Sequence, residues 1–208
     1  NLNSKDSSNT TNTAYPKGQT TTINHPYNET NKNLVIGQKD AKFAYGLGMH
    51  PKDPKNPDRD RFVLSKGHAA PGYYAVLAAL GFISRDEYTN FRQLHSILQG
   101  HPDCKKVPGV DASTGSLGQG CSIAVGMALG AKQLGKDSRV YTILGDGECQ
   151  EGQIWEAFMA ANHFKLDNLT VIIDNNGLQI DGSNDEVMSL GDLPAKLAAF
   201  GFDLHEID

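Results

Sequence analysis

Apolar and polar positions divide the chain into an unpatterned opening and a patterned remainder. Residues 1–40 are rich in Asn, Thr, Ser and Lys, with almost no large apolar side chain before Leu34. A segment of that make-up buries too little apolar surface to offset the entropy of ordering it. Residues 1–40 are therefore expected to be disordered or atypical, and 41–208 to form the folded domain.

From Pro51 the texture changes. Pro51, Pro54 and Pro57 enforce an extended approach to Arg59–Leu64, which reads as a short buried strand. Ala69 to Leu80 carries Tyr73, Val76, Leu77 and Leu80 at helical spacing, and Gly81 is placed to stop that helix. Ser84 and Glu87 form a capping-box pair, predicting a second helix through Leu94. Gly118 to Leu134, rich in Ala and Gly with Ile123, Val125, Met127 and Leu129, predicts a helix packed closely on more than one face.

After Gly135 follow a strand at Val140–Leu144, a helix at Glu151–Phe164 and a strand at Leu169–Asp174, a βαβ unit. Both strands are apolar with little alternation, as expected when helices cover both faces of a parallel sheet. The predicted class is α/β, with an open, mainly parallel sheet covered by helices on both faces. A helix near Leu193–Phe200 and a strand near Phe202–Ile207 would extend the same sheet, and the chain is expected to stop before the domain is complete.

Composition narrows the function. The 208 residues, 38% hydrophobic, can bury one core. A formal net charge of -5 offers no electrostatic ground for binding nucleic acid or an anionic membrane. Cys104, Cys121 and Cys149 are scattered without a C-x-x-C pair, which fits neither a zinc site nor a disulfide framework. No apolar run reaches the roughly 18 residues of a membrane span, and no signal-peptide pattern opens the chain. The expected setting is the cytoplasm.

The candidate chemistry lies at two strand ends. Gly145-Asp146-Gly147-Glu148 follows the first strand of the βαβ unit and Asp174-Asn175-Asn176-Gly177-Leu178 follows the second. Ligands of open α/β sheets bind at the carboxyl ends of the strands, so both loops should face one crevice. Gly145 and Gly147 let the backbone approach a ligand closely, and the helix beginning near Glu151 presents unpaired N–H groups to an anion. Asp146 and Asn176 offer hard oxygen ligands without the many carboxylates of a calcium cage, which suits Mg2+ completing its shell with phosphate oxygens and water. Either loop alone is an ordinary turn; together, each after an apolar strand, they resemble the signature of thiamine diphosphate enzymes.

Beyond that signature, Asp60-Arg61-Phe62-Val63-Leu64-Ser65-Lys66-Gly67-His68-Ala69, Gly100-His101-Pro102, Thr114 to Gly120 and Gln150-Glu151-Gly152 closely resemble transketolases, including forms split over two polypeptides. The resemblance spans roughly residues 51–208. It implies the diphosphate-binding subunit or domain of a thiamine diphosphate enzyme with Mg2+, for which Ca2+ or Mn2+ can substitute. Asp146 and Asn176 would hold the metal by their side chains and Leu178 by its carbonyl. Gly115, Leu117, Gly145, Gly147, Glu151 and Asn176 would contact the cofactor or its subunit contact, and His68 and His101 would reach substrate and cofactor.

The activity so implied is transfer of a two-carbon ketol unit from a ketose phosphate to an aldose phosphate, as in the pentose phosphate pathway. It would need a carboxy-terminal partner subunit bearing the pyrimidine-binding domain, in a homo- or hetero-oligomer. The chain departs from the family pattern at its amino terminus, where no Gly-His-Pro-Gly occurs and Asn24-His25-Pro26-Tyr27 is its only distant echo. Two alternatives follow: a catalytically degenerate partner subunit, or another thiamine enzyme such as deoxyxylulose-phosphate synthase, against which the Arg59–Ala69 segment argues. His50, His95, His163 and His205 are expected to be structural or exposed, Trp155 and Phe158 to serve the core or a subunit contact, and Cys149 to be a small buried apolar group.

Overall fold

The computed structural model describes residues 52–207 and, as backbone only, 20–23 and 34–37. The latter two stretches, β1 (Thr20–Ile23) and β2 (Leu34–Gly37), pair antiparallel. His25 and His50 lie outside the described residues.

The site is built on a three-stranded parallel sheet of β3 (Arg61–Leu64), β4 (Val140–Gly145) and β5 (Leu169–Asp174), with β4 in the middle. Register pairs Leu64 with Ile143 and Gly145 with Asp174, which brings the carboxyl ends of all three strands to one edge. Each face of the sheet carries its own core. Val63, Val140 and Leu144 point into one, with α3 (Gln119–Gln133) and α4 (Gly152–His163) above them. Phe62, Leu64, Tyr141 and Ile143 point into the other, against α1 (Ala70–Leu80). Side chains alternate across a strand, so burial on both faces is why β3 and β4 read as unbroken apolar runs. On the outer strand β5 only Leu169, Val171 and Ile173 pack against a core, and Ile172 on the other face is 37% exposed.

α3 lies close to the sheet because it buries Gly120, Cys121, Ala124 and Ala128. A Cβ on Gly120 would sit 2.6 Å from the Cα of Ser65. Gly120→Ala is therefore expected to cost about 1–3 kcal/mol of stability by overpacking. Urea denaturation checks this, and an unchanged midpoint would show that α3 can withdraw freely. Phe158, fully buried on α4, anchors the same core, and Trp155, Phe200 and Phe202 stack around it with ring centroids 4.9–6.4 Å apart.

Two predicted elements differ. Ser84 Oγ does accept from Glu87 N at 3.1 Å, but α2 (Arg85–Tyr88) is one turn long. Arg92 and His95 adopt left-handed backbone, and Arg92 N donates to Leu98 O, so that Leu98 becomes fully buried. A helix continuing to Leu94 would carry the chain away from that apolar socket. Likewise Phe202–Ile207 forms no strand: after α6 (Leu193–Ala199), Phe202 packs on Phe158, while Leu204 and Ile207 are exposed. Between β5 and α6 lie a small hairpin, β6 (Leu178–Gln179) with β7 (Gly182–Ser183), and α5 (Asn184–Val187) with a full capping box. Among the described residues no helix is long and apolar enough to cross a membrane.

Candidate functional site

The loops leaving β3, β4 and β5 meet at the carboxyl edge of the sheet, together with the loop that precedes α3. Asp146, first residue after β4, is 1% exposed. Its Oδ1 accepts from Gly147 N at 2.8 Å and its Oδ2 from Gly177 N at 2.6 Å. The second bond joins the two candidate metal loops directly, since Gly177 is the neighbour of Asn176. Asn176 Oδ1 accepts from Leu178 N at 2.9 Å, which turns the chain so that Leu178 leads into β6.

Among the described residues no Lys, Arg or His forms an ion pair with Asp146. A buried carboxylate satisfied only by neutral N–H groups still lacks a counter-charge, and burying an unpaired charge is costly. The Asn176 amide oxygen and the Leu178 carbonyl belong to the residues flanking Gly177, and oxygens of these kinds suit a hard divalent cation that also takes phosphate oxygens and water. The nearby cation is committed elsewhere: Lys66, 4% exposed, places Nζ 2.6 Å from Asp174 Oδ2.

The loop before α3 closes the site from the side of β3. Thr114 Oγ1 donates to Leu64 O at 2.7 Å, and a Cβ on Gly67 would clash with Gly115 N at 2.8 Å. Gly115 has φ +148, a conformation that side-chain-bearing residues rarely adopt, and a Cβ there would meet the His101 ring at 3.0 Å. His101 thus lies on Gly115, and it is near enough to disfavour protonation of His68. Leu117 is half-buried, and a Cβ on Gly118 would sit 3.2 Å from the Cβ of Glu151, the residue that opens α4. The sequence-predicted residues therefore fall into two linked groups: His68, His101, Gly115 and Leu117 around one loop, and Gly145, Asp146, Gly147, Asn176 and Leu178 around the other. Glu151 stands between them.

His68 is exposed by surface area, yet the protein around it desolvates the ring, and this, reinforced by Lys66 and His101 and opposed by Asp174, holds the imidazole below the ordinary histidine value near 6.5. His68 is then largely neutral at pH 7 and able both to donate and to accept. The unfolded chain binds this proton first as pH falls below about 6.5, so His68 removes stability on acidification until the folded state protonates too. An NMR titration should place its midpoint below 6.5; a midpoint at or above that value would contradict the crowding described here.

The sequence singled out neither Lys66 nor Glu148 nor Ser65 for a role. Glu148 accepts from Ser65, Gly118 and Gly145, and Lys66 anchors Asp174. Cys149 is fully buried, and burial, then Glu148 and other neighbours, push its thiol up to about 12, in keeping with an inert apolar role. His95, His163 and His205 are exposed.

Known proteins resemble this chain in sequence and in fold. The family model described as transketolase, thiamine diphosphate binding domain, matches residues 36–208. A Phocaeicola vulgatus protein named as one of the subunits of apulose-4-phosphate transketolase is 49% identical over 162 residues, covering 78% of this chain and 57% of that protein. A Clostridium sp. protein named 6-deoxy-6-sulfo-D-fructose transketolase subunit SqwG is 45% identical over 162 residues, covering 78% and 59%. Among solved structures, transketolase from Leishmania mexicana aligns with a TM-score of 0.75 and 36% identity over 78% of this chain and 26% of that one. The chain spans somewhat over half the length of the two subunit relatives.

Proposed function

This chain belongs to the transketolase family, whose thiamine diphosphate binding domain it carries, and from that premise we propose that it transfers a two-carbon ketol unit from a ketose phosphate to an aldose phosphate. A second polypeptide with the pyrimidine-binding domain completes the site. The two relatives are named as subunits in their own right, which supports a split enzyme. The two relatives are named for different ketoses, one bearing a phosphate and the other a sulfonate, so the individual sugar is left open within the ketose phosphates proposed. The cytoplasm is its proposed location, a setting that suits three free thiols.

The observation that carries this reading is the contact between Asp146 and the Gly177 amide, with the carboxylate buried where the strands end. Asp146, Asn176 and the Leu178 carbonyl hold the divalent metal, Mg2+ or a substitute such as Ca2+ or Mn2+. Gly145 and Gly147 let the backbone lie close to the diphosphate; Gly115 and Leu117 border the opposite wall. Thiamine diphosphate, when bound, supplies the electron sink for breaking the bond beside a carbonyl. The chain's own groups orient substrate and move protons: neutral His68 and neighbouring His101 can hydrogen-bond sugar oxygens and exchange a proton near neutral pH. Glu151, exposed at the start of α4, would serve the subunit contact.

Co-expression with a pyrimidine-domain subunit, followed by incubation with xylulose 5-phosphate and ribose 5-phosphate, tests the proposal. Ketol transfer dependent on both chains is expected. Condensation of pyruvate instead would favour a deoxyxylulose-phosphate synthase, and an assembled, cofactor-loaded pair without transfer would mark a non-catalytic subunit.

A further inference from the structure

Glu148 is a buried side chain with no part in the chemistry above. It occupies the 3-10 turn Gly147–Gln150 after β4 and is 3% exposed. Donors from three separate segments converge on it: Ser65 Oγ at 2.5 Å and Gly118 N at 2.8 Å on Oε1, and Gly145 N at 3.2 Å on Oε2. Ser65 leads into Lys66 and His68. Gly118 ends the loop holding Gly115 and Leu117. Gly145 immediately precedes Asp146. All three walls of the site are tied to one carboxylate, although Ser65 and Glu148 lie 83 positions apart.

We propose that Glu148 is a positioning residue whose two oxygens lock the segments carrying His68, Gly115–Leu117 and Asp146 into one register. That these segments form the cofactor site rests on the function proposed above; the locking itself does not. A carboxylate suits the task because both oxygens accept and neither donates. Glutamine has the same skeleton but one NH2, which must face either Gly145 N or Gly118 N. Whichever way the amide turns, a donor opposes a donor and one segment is released. The fold does not depend on this, because the hydrophobic clusters on the two faces of the sheet hold β3, β4, α3 and α4 without Glu148.

Hydrogen–deuterium exchange on the full chain, comparing wild type with Glu148→Gln, decides the point. Exchange in at least one of the peptides covering 114–119 and 144–147 is expected to accelerate at least tenfold, according to which backbone donor the amide opposes, while peptides within 154–163 and 169–173 keep wild-type rates. Wild-type rates in both loops, or uniform acceleration through α4 and β5, would overturn the proposal. Should Glu148→Gln fail to fold, Ser65→Ala removes one donor without adding another; faster exchange confined to 64–68 supports the lock, and no change refutes it.

With the partner subunit present, the dissociation constant of Mg2+–thiamine diphosphate, read by calorimetry, is expected to rise at least tenfold in Glu148→Gln while the thermal midpoint moves little. Equal affinities would show that the lock does not serve the site. Wild-type protein that binds no thiamine diphosphate would sink the proposed function, while the exchange contrast would still decide whether Glu148 locks the loops.

Discussion

Asp146→Ala is expected to abolish metal-dependent binding of thiamine diphosphate, weakening it by about a hundredfold or more, while the protein stays folded. The carboxylate is the only charged member of the proposed ligand set, and Mg2+ binds through few charged oxygens held in strict geometry. Removing one partner of a buried ionic pair costs about 3–5 kcal/mol, and every 1.4 kcal/mol is about tenfold in affinity. Folding should suffer less, because the substitution also removes an uncompensated buried charge. The Gly147 and Gly177 amides, which Asp146 now satisfies, would have to turn to water. Calorimetry of the assembled protein is the measurement; undiminished binding by Asp146→Ala would show that the metal role lies elsewhere.

Arg59→Ala is expected to produce the largest loss of stability, about 3–5 kcal/mol, out of the roughly 5–15 kcal/mol that domains possess. Arg59 is 3% exposed and donates to Pro54 O at 2.7 Å, to Asp60 O at 2.9 Å and to both carboxylate oxygens of Asp111. Without it Asp111 would retain Phe62 N at 2.9 Å and Arg61 at 3.5 Å, the latter more open to solvent, as a partial replacement. Asp111 stands three residues before Thr114, so the loop against His101 should loosen as well. Urea denaturation measures the loss, and a change under about 1 kcal/mol would show that Arg61 takes over the ion pair, since typical surface substitutions cost less than that.

Much of the architecture was legible because a few residues carry strong local signals. Val140–Leu144 and Leu169–Asp174 are apolar runs closed by glycine or asparagine; burial on two faces leaves β4 little freedom to read otherwise, and β5 carries the same pattern although one of its faces is partly open. The site loops were legible because strand ends are where parallel sheets bind ligands, and Gly145-Asp146-Gly147 sits at such an end. Helix starts were easier to see than helix stops: Ser84 announces α2, but nothing in Phe91 to Leu94 shows that Leu98 will draw the chain into the core. Phe202 read as a strand residue by its neighbours, yet an aromatic cluster on Phe158 gives it another place.

What could not be read were the long-range polar ties. Lys66 finds Asp174 across 108 positions, and Glu148 gathers Ser65, Gly118 and Gly145 from three segments. Such contacts exist only once β3, β4 and β5 are in register, so no spacing along the chain announces them. The hairpin of β6 and β7 turns through Ile180 and Asp181, with Gly182 as the fourth residue of the turn, a position that favours glycine. Gln150 Nε2 donates to Met188 O, which fastens the segment after that hairpin to the turn beyond Asp146.

Titration of the two-chain assembly with thiamine diphosphate, once with Mg2+ and once with EDTA, bears most squarely on whether the two loops share a metal. One binding event per chain is expected with Mg2+, with near-complete loss in EDTA and recovery when Mg2+, Ca2+ or Mn2+ is added back. Equal affinity in both conditions, or no binding in either, would contradict a site in which the loops after β4 and β5 hold one cation between them.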